Sequence, residues 1–324
     1  MIYYYILSDV RIEIESDIQG LIDGFELKLT TRLPSFYDTK HCIRIYKAET
    51  LKSQIETADI IQTETQEKLF NGNEFLHVDM AYRFTIYVDF STLTVQYQLQ
   101  NKGNAFALGS YLLHYVYMLM SRFGYITLHA SAYKYNDNII IYIGNSGGGK
   151  TTSGVIAIQY GYQLVTDDRL LMRFNDNKKK FEFIPINSKM GVSDFLLQKY
   201  KYMFIDNGIM VDNEKKYISI LSQYITDRPF LTDELCVLIG IKSNKTTICK
   251  TSKSLMFRMI IKNNYDSFRF QWPLYSETIF ELLNRASLNV FNNNYSEESL
   301  RLIESYIKQQ KVISNFVDKK DDSV

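Results

Sequence analysis

The sequence predicts an α/β (α+β) protein with a β-rich domain over residues 1–103 and a core over residues 104–315 built on a phosphate-binding loop. A disordered tail is expected over residues 316–324. Three observations carry this. Apolar residues alternate through the first hundred positions, the signature of half-buried strands. A helical stretch begins at Asn104. The segment "IIIYIGNSGGGKTTSG", Ile139 to Gly154, then runs from an apolar strand through a glycine-rich loop into a helix.

The composition suits a folded chain. Tyr (25) and Phe (20) are abundant and Pro (4) is scarce, which favours compact, strand-rich structure over linker. The formal net charge is +1, so neither nucleic acid nor an anionic membrane is an expected partner. Cys42, Cys236 and Cys249 form no Cys-x-x-Cys pair or Cys/His cluster, so a reducing, cytoplasmic setting is expected. The N-terminus lacks a basic segment and a small-residue cleavage site, and no signal peptide is read there. "AFALGSYLLHYVYMLM", Ala105 to Met120, falls short of the ~20 apolar residues of a membrane span and reads as a buried helix.

Taken in order, "YYYILSDVRIEIES" alternates with Val10, Ile12 and Ile14 on one face. "CIRIYKA" and "FTIYVDFSTLTVQYQL" follow, the latter with a turn near Ser91. The domain they build is expected to dock or present a substrate. A helix spans Asn104 to about Arg122, with Gly124 as its stop. "YITLHASAY" and "NIIIYIG" are strands joined at Asn136 to Asn138. After the loop, a helix from Lys150 to about Tyr160 ends at Gly161, and "YQLVT" is the next strand. "RLLMRF" and "FEFIPI" flank a turn whose Lys178 to Lys180 run is a solvated tip. "ELCVLIGI" is a buried strand, and "SETIFELLNRASL" and "SEESLRLIESYIKQQ" are helices, the last with a serine cap and early acids.

The loop reads G-x-x-x-x-G-K-T over Gly144, Asn145, Ser146, Gly147, Gly148, Gly149, Lys150 and Thr151. Its glycines let successive N–H groups turn towards phosphate oxygens, and the helix adds its positive end. Lys150 is placed to reach the β- and γ-phosphates, Thr151 to ligate Mg²⁺, and Thr152 to reach the α-phosphate region. Asp167 and Asp168 come only seventeen and eighteen residues after Lys150. A helix of about eleven residues carries the chain ~16 Å away. A strand of about five residues then brings it ~16 Å back. The acid pair therefore returns beside the loop. One carboxylate can hold Mg²⁺ and the other can accept a hydroxyl proton. His129 lies on the strand before the loop strand. His41, His77 and His114 are read as ordinary packed histidines.

Together, "LHASAY", "IIIYIGNSGGGKTTSG" and "QLVTDDRLLM" resemble the HPr kinase/phosphorylase family and its relatives with a phosphoenolpyruvate-carboxykinase-like core. A histidine, the loop lysine and a double aspartate recur there at the same separations. The resemblance is closest over residues 125–175. It implies that Lys150 contacts phosphate, that Thr151 binds the metal, that Asp167 binds the metal or supports the groups that do, and that Asp168 accepts the proton. It also implies that His129 stands near the transferred phosphoryl group. Where the bifunctional enzymes carry a Glu-Ile-Arg-Gly type signature, this chain has "FIPINSKMGVSDFLLQKYKYMF", so phosphorylase activity and HPr as acceptor are not expected. Arg228 and Arg258 are both candidates for the family's downstream arginine. The N-terminal region resembles the stand-alone kinases of this group, some of which modify serine on peptides.

The expected activity is an ATP- and Mg²⁺-dependent kinase acting on Ser or Thr of a peptide or small protein. The alternatives are a kinase of a small-molecule alcohol and a nucleotide-sensing module with little turnover. A homo-oligomer is compatible with each.

Overall fold

The computed structural model describes residues 1–26, 29, 39–49, 51, 59–144, 148–186, 189–212, 215–226, 228–263, 272–294 and 296–321. The chain is a mixed α/β protein that divides into two compact units, Met1–Gly124 with Phe268–Leu274, and Tyr125–Ser267 with Tyr275–Val324.

The first unit holds strands β1 (Ile2–Leu7), β2 (Val10–Glu15), β3 (His41–Lys47), β4 (Asp59–Gln62), β5 (Gln66–Phe70), β6 (Glu74–Asp79), β7 (Phe84–Asp89) and β8 (Thr94–Leu99). Its helices are α1 (Gln19–Glu26) and α2 (Ala105–Met120). The strands form one sheet in the order β1-β2-β3-β8-β7-β6-β5-β4. It is parallel where β3 meets β2 and β8, and antiparallel elsewhere. The opening alternation is two strands rather than one. The chain reverses at Ser8, whose φ is 57°, and Val10, Ile12 and Ile14 are fully buried on the returning strand.

Helix α1 was not expected in a segment read as strand. It packs on α2 with its backbone nearly in contact. A Cβ on Gly24 would lie 2.0 Å from the Phe106 oxygen, and one on Gly109 would lie 1.9 Å from the Leu21 oxygen. Asn104 opens α2 by accepting a hydrogen bond from the Ala107 N–H at 3.0 Å, and Gly124, at φ 83°, follows the turn that ends it. The division between units falls after Gly124. Helix α2, assigned from the sequence to the phosphate-loop core from residue 104, therefore lies in the first unit. The physical reason is that its apolar surface is covered by α1 and by β3, β7 and β8. Among the described residues, no helix is long and apolar enough to cross a membrane.

The second unit holds β9 (Ile126–Tyr135), β10 (Asn138–Gly144), α3 (Lys150–Gln159), β11 (Gln163–Thr166), β12 (Arg169–Asn175), β13 (Lys180–Ile184), β14 (Lys189–Val192) and α4 (Asp194–Lys199). It continues with β15 (Phe204–Asp212), β16 (Lys215–Ile220), β17 (Phe230–Thr232), β18 (Leu235–Lys242), β19 (Thr247–Lys250), α5 (Lys253–Asn263), α6 (Pro273–Arg285), β20 (Ser287–Asn293) and α7 (Glu297–Asp321). The main sheet runs β17-β13-β12-β9-β10-β18-β20-β19, with β11 also paired to β9, while β14-β16-β15 form a small second sheet. Strand β10, buried at every position, is antiparallel to β9 and parallel to β18, which is in turn parallel to β20. Helix α7 runs through Asp321, where a disordered tail was expected from residue 316; residues 322–324 lie outside the described residues.

Candidate active site

Strand β9 changes neighbours along one edge. Residues 126–129 pair with β12, whereas residues 132–134 pair with β11. The link between β11 and β12 is Asp167–Asp168, so both acids sit at the break, opposite Ala130 and Ser131. The Ala130 N–H donates to the Asp168 backbone oxygen at 3.1 Å and holds the link against β9. His129, which the resemblance implies to stand near the transferred phosphoryl group, is the register partner of Arg169. Its Nδ1 lies 3.1 Å from the Asp168 backbone oxygen and 3.2 Å from Asp168 Oδ1. With the carboxylate ionised, both neighbours are acceptors, and Nδ1 carries the proton that they share. Exposures of 38% for the His129 side chain and 25% for Asp168 leave the pair reachable from solvent.

Asp167 is enclosed by contrast. Ser131 Oγ donates to Oδ1 at 2.7 Å, Thr151 Oγ1 donates to Oδ2 at 3.0 Å, and the Gly191 N–H donates to Oδ2 at 3.2 Å. Burial pushes its carboxyl from 3.8 up to about 6, helped by the neighbouring Asp168 charge and opposed by those three donors. The two adjacent acids thus occupy different environments, one desolvated and fixed, the other open and facing an imidazole.

Residues 145–147 lie outside the described residues, so the assignments on Asn145, Ser146 and Gly147 are not tested by geometry. The described ends of the loop are ordered by specific contacts. The Tyr142 hydroxyl donates to the Gly148 oxygen at 2.8 Å. Gly149 opens α3 at φ 90°, and no acid sits in the helix's first turn to neutralise its positive end. Lys150, only 8% exposed, donates from Nζ to the Gly144 oxygen at 2.6 Å. An ammonium so desolvated favours a nearby anion. Thr151 turns towards Asp167, while Thr152 lines a cavity together with residues of α4, β20 and α7.

Three residues that sequence reasoning passed over complete this arrangement. Ser131 lies two positions after His129 and so shares its face of β9, a signal present in "LHAS". Gly191 belongs to the segment that departs from the family signature, yet its N–H reaches Asp167, and nothing local announces that. Gly240 makes room for Tyr142, since a Cβ there would meet the tyrosine hydroxyl at 2.4 Å. Arg228 and Arg258 are both exposed, and among the described residues neither forms a hydrogen bond or ion pair with the acids or the loop.

The oxygens of Thr151 and Asp167 fit magnesium. Such hard cations are held by one or two carboxylates together with substrate phosphates and water, rather than by an all-protein cage. Among the described residues, no group of three or more His, Cys, Asp or Glu is arranged to hold a metal by itself.

No protein-family model and no curated protein matches this chain. Among solved structures, the chain is similar to the HPr(Ser) kinase/phosphatase from Coxiella burnetii. The likeness has 11% identity and a TM-score of 0.30, and it covers 59% of this chain and 99% of that one. A likeness of that size establishes neither family nor activity.

Proposed function

We propose that the chain is an ATP- and Mg²⁺-dependent kinase that transfers the γ-phosphoryl group to a hydroxyl, that of Ser or Thr in a peptide or small protein. The observation that carries this reading is the contrast in surroundings between the adjacent acids. Asp167 is buried against Thr151 at the start of α3, and Asp168 is open and pairs with His129.

In this reading Gly144 to Thr152 cradle the phosphates, and Lys150 draws charge from the β- and γ-oxygens as it develops. Thr151 and Asp167 would hold magnesium, which would supply further positive charge for the phosphates. Asp168 accepts the proton of the acceptor hydroxyl as its oxygen attacks the γ-phosphorus. The bond from that phosphorus to the β–γ bridging oxygen breaks, and ADP leaves with the electron pair. His129 holds Asp168 in place through the hydrogen bond from its Nδ1.

The test is incubation with γ-labelled ATP, Mg²⁺ and a lysate, with Asp168→Asn alongside. Label on a peptide or protein, lost in the variant, supports the proposal. Label on a small metabolite shifts the acceptor to a small-molecule alcohol. Only slow release of phosphate, equal in both proteins, overturns the kinase reading in favour of a nucleotide sensor.

A further inference from the structure

A cavity of about 230 Å³ opens beside the start of α3, within the second unit. It shares Gly149, Thr152 and Ser153 with the loop and the start of α3, and its remaining wall comes from three elements distant in sequence. The end of β20 contributes Phe291 and Asn293, the first turns of α7 contribute Leu300, and α4 contributes Phe195. Phe195 is 64% exposed and Leu300 is 40% exposed, so uncovered apolar side chains from two helices flank the opening.

The position relative to the acids is informative. The neighbours of β10 are β9 on one side and β18, then β20, on the other. Asp167, Asp168 and His129 belong to the β9 side, whereas the cavity is bounded by β20 and α7 on one hand and by α4, which follows the strand of Gly191, on the other. Thr151 and Thr152 are consecutive in α3 and so point about 100° apart, one to Asp167 and one to the cavity. A linear polyphosphate laid across the N-terminus of α3 with its reacting end at the acids directs its other end into this cavity. Exposed aromatic and aliphatic surface there suits a flat heterocycle, which stacks or packs without needing a hydrogen-bond partner at every edge.

We infer that this cavity is the nucleoside site, in which the base of a nucleoside triphosphate packs against Phe195 and Leu300 while Thr152 and Gly149 meet the phosphate nearest the sugar. The inference rests on the nucleotide-binding reading of the loop and adds which face of the fold recognises the nucleoside. Ser296 and Ser299 direct their hydroxyls to Asn294 Oδ1 at 2.5 and 2.7 Å, while Asn293, Ser153 and Ser193 add polar groups to the wall.

The test compares calorimetric titrations of MgATP and of magnesium tripolyphosphate into the full chain and into a Phe195→Ala/Leu300→Ala double variant. Both positions are exposed, and unchanged tripolyphosphate binding reports that the variant is folded. The expected result is that wild type binds MgATP at least about tenfold more tightly than tripolyphosphate, and that the variant loses about tenfold for MgATP alone. Wild type that binds both equally, or a variant that keeps full MgATP affinity, overturns the inference and leaves the loop reading standing. Wild type that binds neither overturns both.

Discussion

A carboxylate as enclosed as Asp167 needs its donors to stay in place, and Ser131 is the one whose removal tests this most cleanly. Its hydroxyl sits 2.7 Å from Oδ1, on the oxygen not shared with Thr151 and Gly191. Ser131→Ala leaves those two contacts intact but frees one side of the carboxylate. The expected outcome is a rise of about 10–100-fold in the Mg²⁺ concentration needed for half-maximal transfer, the usual penalty for losing a group that orients a metal ligand. Affinity for nucleotide without metal should not change, and a metal titration at fixed ATP reads the difference. Asp168→Asn belongs to the other half of the pair. It is expected to keep nucleotide affinity and to lower transfer by a factor on the order of 10²–10⁴, the size of a general-base contribution. Equal turnover in variant and wild type would remove Asp168 from that role.

At the scale of elements, the sequence was most readable where structure is local. The interval from Lys150 to Asp168 consists of one helix and one strand, so counting residues sufficed to return the acids to the start of α3. The pairing of His129 with Asp168 was not legible in this way, because it depends on the register between β9 and β12. Helix α1 stayed hidden because its eight residues follow strongly alternating strands, and because its decisive feature is a partner more than eighty residues away. That partner yields an expectation that separates crowding from helix propensity. Gly109→Ala places a methyl 1.9 Å from the Leu21 oxygen, a backbone atom that cannot turn aside, and should destabilise the first unit by about 3 kcal/mol. Gly20→Ala, in α1 itself, meets only the Ala105 Cβ at 3.5 Å and should be neutral or stabilise by up to about 1 kcal/mol. Thermal melting of the two variants distinguishes them, and equal losses would show that α1 and α2 do not approach as described. The cavity beside α3 was equally unreadable, since α4, β20 and α7 meet there from three separate parts of the chain.

For the whole molecule, two units with different buried ionisable groups need not respond alike to acid. In the first unit, His77 is completely buried, its Nδ1 lies 2.7 Å from the Tyr115 hydroxyl, and its Nε2 has no hydrogen-bond partner among the described residues. Asp79 Oδ2, 3.9 Å from Nε2, is too far to act as that partner. Burial, with Lys68 adding to it, pulls the imidazole from 6.5 down to about 3, so it is neutral in the folded unit at ordinary pH. The unfolded chain takes up a proton near 6.5 that the folded unit refuses until about 3. The stability tied to His77 is therefore fully present above pH 6.5. It falls by about 1.4 kcal/mol per pH unit as pH drops from there towards 3. The chain's single tryptophan, Trp272, belongs to the first unit, where its ring packs 5.0 Å from that of Phe90. Its fluorescence therefore reports the unit that carries His77. Urea melts followed by tryptophan emission at pH 7, 6 and 5 should show the midpoint falling below pH 6.5, and His77→Phe should flatten that fall. The same slope in His77→Phe and wild type would mean that the acid sensitivity of the first unit resides in other groups.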